Sequence, residues 1–175
     1  TRKLNLIETA QLDPVSLAVK INFEKRKMLD NFLSNQEIQK IVSESENFQF
    51  DLLIVEYFNY SPLLAFAEIF DCPVIGIVSL DAYFYIHEQM GNEANPVIHP
   101  DFYLPFLHGK LSFIERFQSL KFYLSVKYFI QPIQENFHGK IVEKYFPNAT
   151  ATIDEMKERV QLLMTNTNPA MGFIR

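Results

Sequence analysis

The chain has 175 residues, 48% hydrophobic and 21% charged, with a net charge of −5. That composition suits one globular domain with a sizeable core and argues against intrinsic disorder. Basic charge is concentrated only in "EKRK" at 24–27, which reads as a solvated helix face, so nucleic acid is not an expected partner. No apolar run approaches the ~18 residues that span a membrane. The lone Cys72, between Asp71 and Pro73, cannot close an internal disulfide and reads as a small core residue.

Residues 14–33 predict a helix, with Leu17, Ile21, Met28, Leu29 and Phe32 on one broad face. A second helix follows, with Ser34 or Asn35 as N-cap and Glu37 placed for a capping box. In "FDLLIVEYFN" (50–59), Leu52, Leu53, Ile54 and Val55 read as a strand buried on both faces, ending on Glu56. Ionised carboxylates are seldom buried without a partner. Either Glu56 emerges into solvent as the strand ends, or it is held where a charge is needed. Ser61-Pro62 predicts a helix start, with Ser as N-cap, and Asp71-Cys72-Pro73 ends that helix after about Phe70. "VIGIVS" (74–79) is a second apolar strand, so 50–79 reads as a βαβ unit of a parallel sheet.

"LDAYFYIHEQM" has helical potential, and the loop at 91–110 is rich in Pro, Asn and His. Ser112 with Glu115 opens the next helical stretch through a capping box. That stretch is too long for one straight helix, and Pro132 should kink or split it while Gly139 weakens it. Thr152 with Glu155 caps a short helix, and "QLLMTN" (161–166) reads as a third parallel strand. The expected fold is α/β: a Rossmann-like parallel sheet flanked by helices.

In such sheets ligands sit beyond the carboxyl ends of the strands. Those ends are Glu56-Tyr57-Phe58-Asn59, Ser79-Leu80-Asp81 and the run 165–168, a mixed lining suited to a small molecule. None of the five glycines (76, 91, 109, 139, 172) belongs to GxGxxG or a P-loop, so the chain is not expected to hold a nucleotide by itself. Gly76, inside a strand, reads as close packing of a neighbour. His87, His99, His108 and His138 lack paired ligand spacing, so no metal site is expected. His99 and His108 flank "DFYLPF" and read either as surface-loop residues or as a pocket entrance. Two sequons occur. Asn148-Ala149-Thr150 lies in an expected loop and is the candidate glycan acceptor. Asn59-Tyr60-Ser61, followed by Pro62, is expected to stay unmodified.

"FDLLIVE", "PLLAFAEIFDCPVIGIVS", "MGN…NPVIHPDFYLPF", "LSFIERF" and "LLMTNTNPAMGFIR" occur in that order. Together they resemble the N-terminal, acceptor-binding half of a UDP-glycosyltransferase of the arthropod type, over roughly 50–175. The resemblance implies a GT-B architecture of two Rossmann-like domains facing across a cleft. Residues 1–175 would be part of the N-terminal domain, without the C-terminal domain that binds the UDP-sugar. The opening "TRKLNLIETA" and closing "NPAMGFIR" fit the expectation of a piece of a longer protein.

For that longer protein the resemblance implies inverting transfer of a sugar to a hydroxyl of a small lipophilic acceptor, an anchor in the membrane, and a place facing the endoplasmic reticulum lumen. It implies no cofactor beyond the UDP-sugar co-substrate. A His base and a carboxylate that orients it form the family's dyad, and Glu56 occupies the position of that carboxylate, one methylene longer than the usual Asp. No His precedes residue 87, so the base is not in this chain and the chain alone is expected to be inactive. The residues expected to line the acceptor pocket are Phe58, Asn59, Ser79, Asp81, Phe84, Tyr85, Phe102 and Phe106. The alternative is an α/β small-ligand-binding module without chemistry. A dinucleotide dehydrogenase is disfavoured by the absent glycine-rich turn.

Overall fold

A computed structural model describes residues 12–106 and 110–166. The first helix, α1 (Pro14–Leu33), starts where Asp13 accepts hydrogen bonds from the N–H groups of Val15 and Ser16, with Pro14 in its first turn. Its buried stripe is Ala18, Asn22, Leu29 and Leu33. Of the apolar face expected from sequence, Leu29 is buried, but Met28 and Phe32 are 61% and 47% exposed. Helix α2 (Gln36–Ser43) is capped by Asn35, which accepts from the Glu37 N–H at 2.8 Å. With Asn35 as cap, Glu37 stands one position too early for the expected capping box.

Strand β1 (Leu53–Glu56) leads through a 3₁₀ turn (Ser61–Leu64) into helix α3 (Ala65–Ile69) and then strand β2 (Val74–Val78). Ser61 lies inside that turn and makes no side-chain cap, so the expected N-cap does not form. Helix α4 (Phe84–Gln89) follows, then the long loop. Helix α5 (Phe113–Ser125) begins with the Ser112–Glu115 capping box. It passes without interruption into a π-helical turn (Val126–Ile130) and helix α6 (Gln131–Tyr145). Pro132 sits in the first turn of α6, where its missing N–H is tolerated, so a local change of winding takes the place of a break. Helix α7 (Ile153–Glu158) carries the Thr152–Glu155 capping box and delivers strand β3 (Val160–Thr165).

The three strands pair in parallel in the order β1-β2-β3, with Leu53 opposite Val74 and Glu56 opposite Ile77. Val55, Val74 and Val78 belong to the main core, which also holds Leu29, Leu64, Ile141, Phe146 and Met156. On the opposite face Ile54, Ile77, Leu162 and Met164 are 58%, 37%, 46% and 51% exposed. The expectation that Leu52–Val55 is buried on both faces is therefore corrected. Successive side chains alternate between faces, and among the described residues only one face is covered. No helix among the described residues is long and apolar enough to cross a membrane.

Behind α3, Glu68 Oε1 accepts from the N–H groups of Thr150 and Ala151 at 2.7 and 3.0 Å. This pins the turn that displays Asn148, which is exposed. Cys72 is buried, and burial pushes its thiol pKa up, as suits a packing residue.

Gly76 is required by contact. A Cβ there would lie 3.0 Å from Tyr57 Cβ and 3.1 Å from Leu163 Cδ1. The leucine methyl can rotate aside, whereas Tyr57 Cβ is fixed to its backbone. Gly76→Ala should lower stability by about 1–3 kcal/mol through overpacking, read as a lower urea midpoint at unchanged slope. An unchanged midpoint would show that Tyr57 gives way at no cost.

Candidate functional site at the strand ends

At the carboxyl end of β1 the Glu56 side chain points out of the sheet and is exposed. Its carboxylate has no hydrogen-bond or ion-pair partner among the described residues. Among the described residues, then, Glu56 emerges into solvent as the strand ends. Its charge is nonetheless felt nearby. It opposes the downward shift of Lys25 and adds to the upward shift of Tyr60.

Lys25 was passed over as part of a solvated basic block. Its Nζ donates to the Phe58 carbonyl at 2.8 Å and lies 3.1 Å from the centroid of the Phe58 ring. Tyr60 and Tyr83 stand further out, at 5.4 and 6.0 Å. Burial of the ammonium pulls its pKa down to about 7, against the attraction of Glu56. The signal was in the spacing: residues 18, 22, 25, 29 and 33 form one helical stripe, and Lys25 falls on it.

Asn59 follows in the left-handed region at φ 65 and is 5% exposed. Its Nδ2 donates to Asn22 Oδ1 at 2.6 Å, and its Oδ1 accepts from the Tyr85 hydroxyl. Both ends of the amide therefore carry a hydrogen bond within the protein. Asp81 pairs with His87 Nε2 at 3.0 Å, while Ser79 is exposed.

The expected pocket rings do not surround a void. Phe58 stacks on Tyr83 with centroids 4.4 Å apart, Phe102 leans on both, and Tyr85 stacks on Tyr83 at 5.2 Å. The hydroxyls of Tyr83 and Tyr103 are hydrogen-bonded to each other. Phe106 packs at the edge of a second small core around Ala18 and Phe122. Of the eight expected lining residues, Tyr85 borders an open groove of about 770 Å³ with Gln131, Glu135 and Lys157, and Phe84 borders a smaller cavity. That cavity, of about 260 Å³, lies between α4, the 91–101 loop and α5, with His99, Asp101, Ser119, Phe122 and Tyr123 also in its wall. The histidine at 108 and the residues at 167 and 168 lie outside the described residues.

Two curated proteins resemble the chain. An ecdysteroid UDP-glucosyltransferase of Mamestra brassicae nuclear polyhedrosis virus is 32% identical over 137 residues, covering 75% of this chain and 25% of the viral protein. UDP-glycosyltransferase UGT4 of Dactylopius coccus is 22% identical over 158 residues, covering 89% of this chain and 31% of that protein. These matches support a relationship to UDP-glycosyltransferases. The chain spans between a quarter and a third of the length of these relatives. No protein-family model matches it, and no solved structure does.

Lys25 makes a pH test possible. Its folded pKa lies below the unfolded value of 10.5, at about 7. Between these values the unfolded chain holds a proton that the folded chain does not, so stability rises with pH across that window. Below pH 7 both states are charged and the full cost of burying the ammonium is present. Lys25→Met should therefore gain most over the parent at pH 6, and the gain should shrink steadily towards pH 10, in paired urea titrations. A difference that is flat with pH would show that Lys25 titrates as an ordinary lysine.

Proposed function

We propose that this chain is the acceptor-binding part of a UDP-glycosyltransferase that transfers a sugar, with inversion, to a hydroxyl of a small lipophilic molecule. The observation that carries the reading is Glu56, a carboxylate at the carboxyl end of a parallel strand with no partner among the described residues. Natural strand ends of this kind are where α/β sheets place their chemistry. The two relatives, one named a UDP-glucosyltransferase and the other a UDP-glycosyltransferase, support the reaction class. The donor sugar would be held elsewhere in a longer protein, because no glycine-rich phosphate loop occurs in this chain. In that longer protein, membrane-anchored and facing the endoplasmic reticulum lumen, Asn148 would carry a glycan.

In the mechanism a histidine base supplied by the longer protein deprotonates the acceptor hydroxyl and becomes imidazolium. Glu56 would accept the far ring N–H, fixing the tautomer and stabilising that charge. A non-catalytic ligand-binding module is the second reading. The cavity beside α5 favours it, since binding there needs no sugar donor.

In the longer protein, Glu56→Gln keeps size and removes charge. It should lower kcat about 10²–10⁴-fold with little change in acceptor KM, because the lost interaction strengthens mainly in the transition state. Glu56→Asp should retain more activity than the Gln variant. Near-parental turnover in the Gln variant would remove Glu56 from the mechanism. Calorimetry of residues 1–175 with UDP-glucose should show no binding, and micromolar affinity would overturn the division of labour between the two halves.

A further inference from the structure

The cavity beside α5 has a chemical character of its own. Phe84 and Phe122, 5% and 4% exposed, form apolar walls, and Tyr123 adds a third ring. Ser119, one turn before Phe122 on the buried stripe of α5, is 1% exposed. Its Oγ has no hydrogen-bond partner among the described residues. Helix serines usually settle such a hydroxyl on the carbonyl four residues back, and a buried hydroxyl left unpaired carries a desolvation cost. This one faces a void large enough to bring it a partner. An apolar cavity of ~150 Å³ already admits benzene, so about 260 Å³ holds a ring with a short side chain.

Charge narrows the class. Asp101 is 5% exposed, and its two carboxylate oxygens accept the N–H groups of Phe84 and Tyr103, both at 3.2 Å. Those bonds hold the loop against α4 and fix a negative charge in the wall. Glu93 adds a second carboxylate. Among the described residues no lysine or arginine lines the cavity, and His99 is the one lining side chain that becomes a cation on protonation. Carboxylates and aromatic faces both favour a cation and disfavour an anion.

We propose that this cavity binds a small arylalkyl ammonium ion, with its ring between Phe84 and Phe122 and its N–H groups donating to Ser119 Oγ and the carboxylate wall. The site goes beyond the glycosyl-transfer reading. A ligand seated here requires no sugar donor, so its binding stands or falls apart from the Glu56 experiment.

Three probes of nearly one shape test it on the 175-residue chain by calorimetry at pH 7: 2-phenylethylamine, 2-phenylethanol and phenylacetate. The amine should bind about tenfold tighter than the alcohol, as charge-assisted hydrogen bonds and ring contacts imply, and the acid weakest. Ser119→Ala should weaken the amine about 3–10-fold, the net worth of a hydrogen bond, without loss of helical circular dichroism, because it removes a hydroxyl that had no partner. Glu93→Gln, at an exposed loop position, should narrow the amine-over-alcohol preference and reduce its sensitivity to salt. The proposal is overturned if the alcohol or the acid binds as tightly as the amine. It is equally overturned if Ser119→Ala leaves amine affinity unchanged, or if none of the probes binds.

Discussion

One buried amide holds the strand end together. Asn59 takes the left-handed conformation that asparagine tolerates better than most residues, and from there its side chain reaches α1 through Asn22 and α4 through Tyr85. The carbonyl immediately before it, on Phe58, receives Lys25. Three elements far apart in sequence are thus tied at a single turn. Buried amides must find partners for both ends, so displacing any one of them leaves the others unsatisfied. The placement of Lys25 over the Phe58 ring follows from this. Helix α1 cannot slide along the sheet without losing the Asn22 bond as well.

The aromatic stack fills the space that this tie encloses. Phe58, Tyr83, Tyr85, Phe102 and Tyr103 pack ring on ring. Burial pushes the phenols up, Tyr103 to about 12 and Tyr83 further still, so none is a phenolate at neutral pH. Their hydroxyls bond to one another and to Asn59 instead of facing solvent. A stack so closely filled positions the loop and leaves little volume for a ligand. Volume appears at its margins, in the open groove beside Tyr85 and in the cavity one layer outward, where small Ser119 stands on the inner stripe of α5.

What was legible in the sequence followed local rules. The boxes Ser112–Glu115 and Thr152–Glu155 involve residues three apart and formed as read. The order strand, helix, strand gave the parallel pair, and Gly76 in mid-strand marked a close neighbour, which is Tyr57. Illegible features depended on what lay across from a residue. Met28 and Phe32 look like core but face outward, because α1 buries a narrower stripe of Ala18, Asn22, Leu29 and Leu33. Lys25 looks like surface but falls on that stripe. Aromatic residues near strand ends could line a pocket or fill it, and composition does not separate the two. Ser119, one hydroxyl in a helix, carries no signal until its neighbours are placed.

The exposure of Glu56 and of the apolar residues beside it has one geometric cause. Residues two apart in a strand share a face, so Glu56 stands on the same bare face as Ile54, opposite Ile77 of β2. Parallel sheets are ordinarily covered on both faces. Any element that covered Ile54 and Ile77 would also take Glu56 out of water. Desolvating a carboxylate is unfavourable unless a donor or cation comes with the cover, and in that drier setting the pairing between them strengthens. The apolar face and the catalytic reading of Glu56 therefore make a joint demand. A cover made only of hydrocarbon would bury an unpaired charge, whereas a cover that brings an imidazole beside its apolar side chains satisfies both at once.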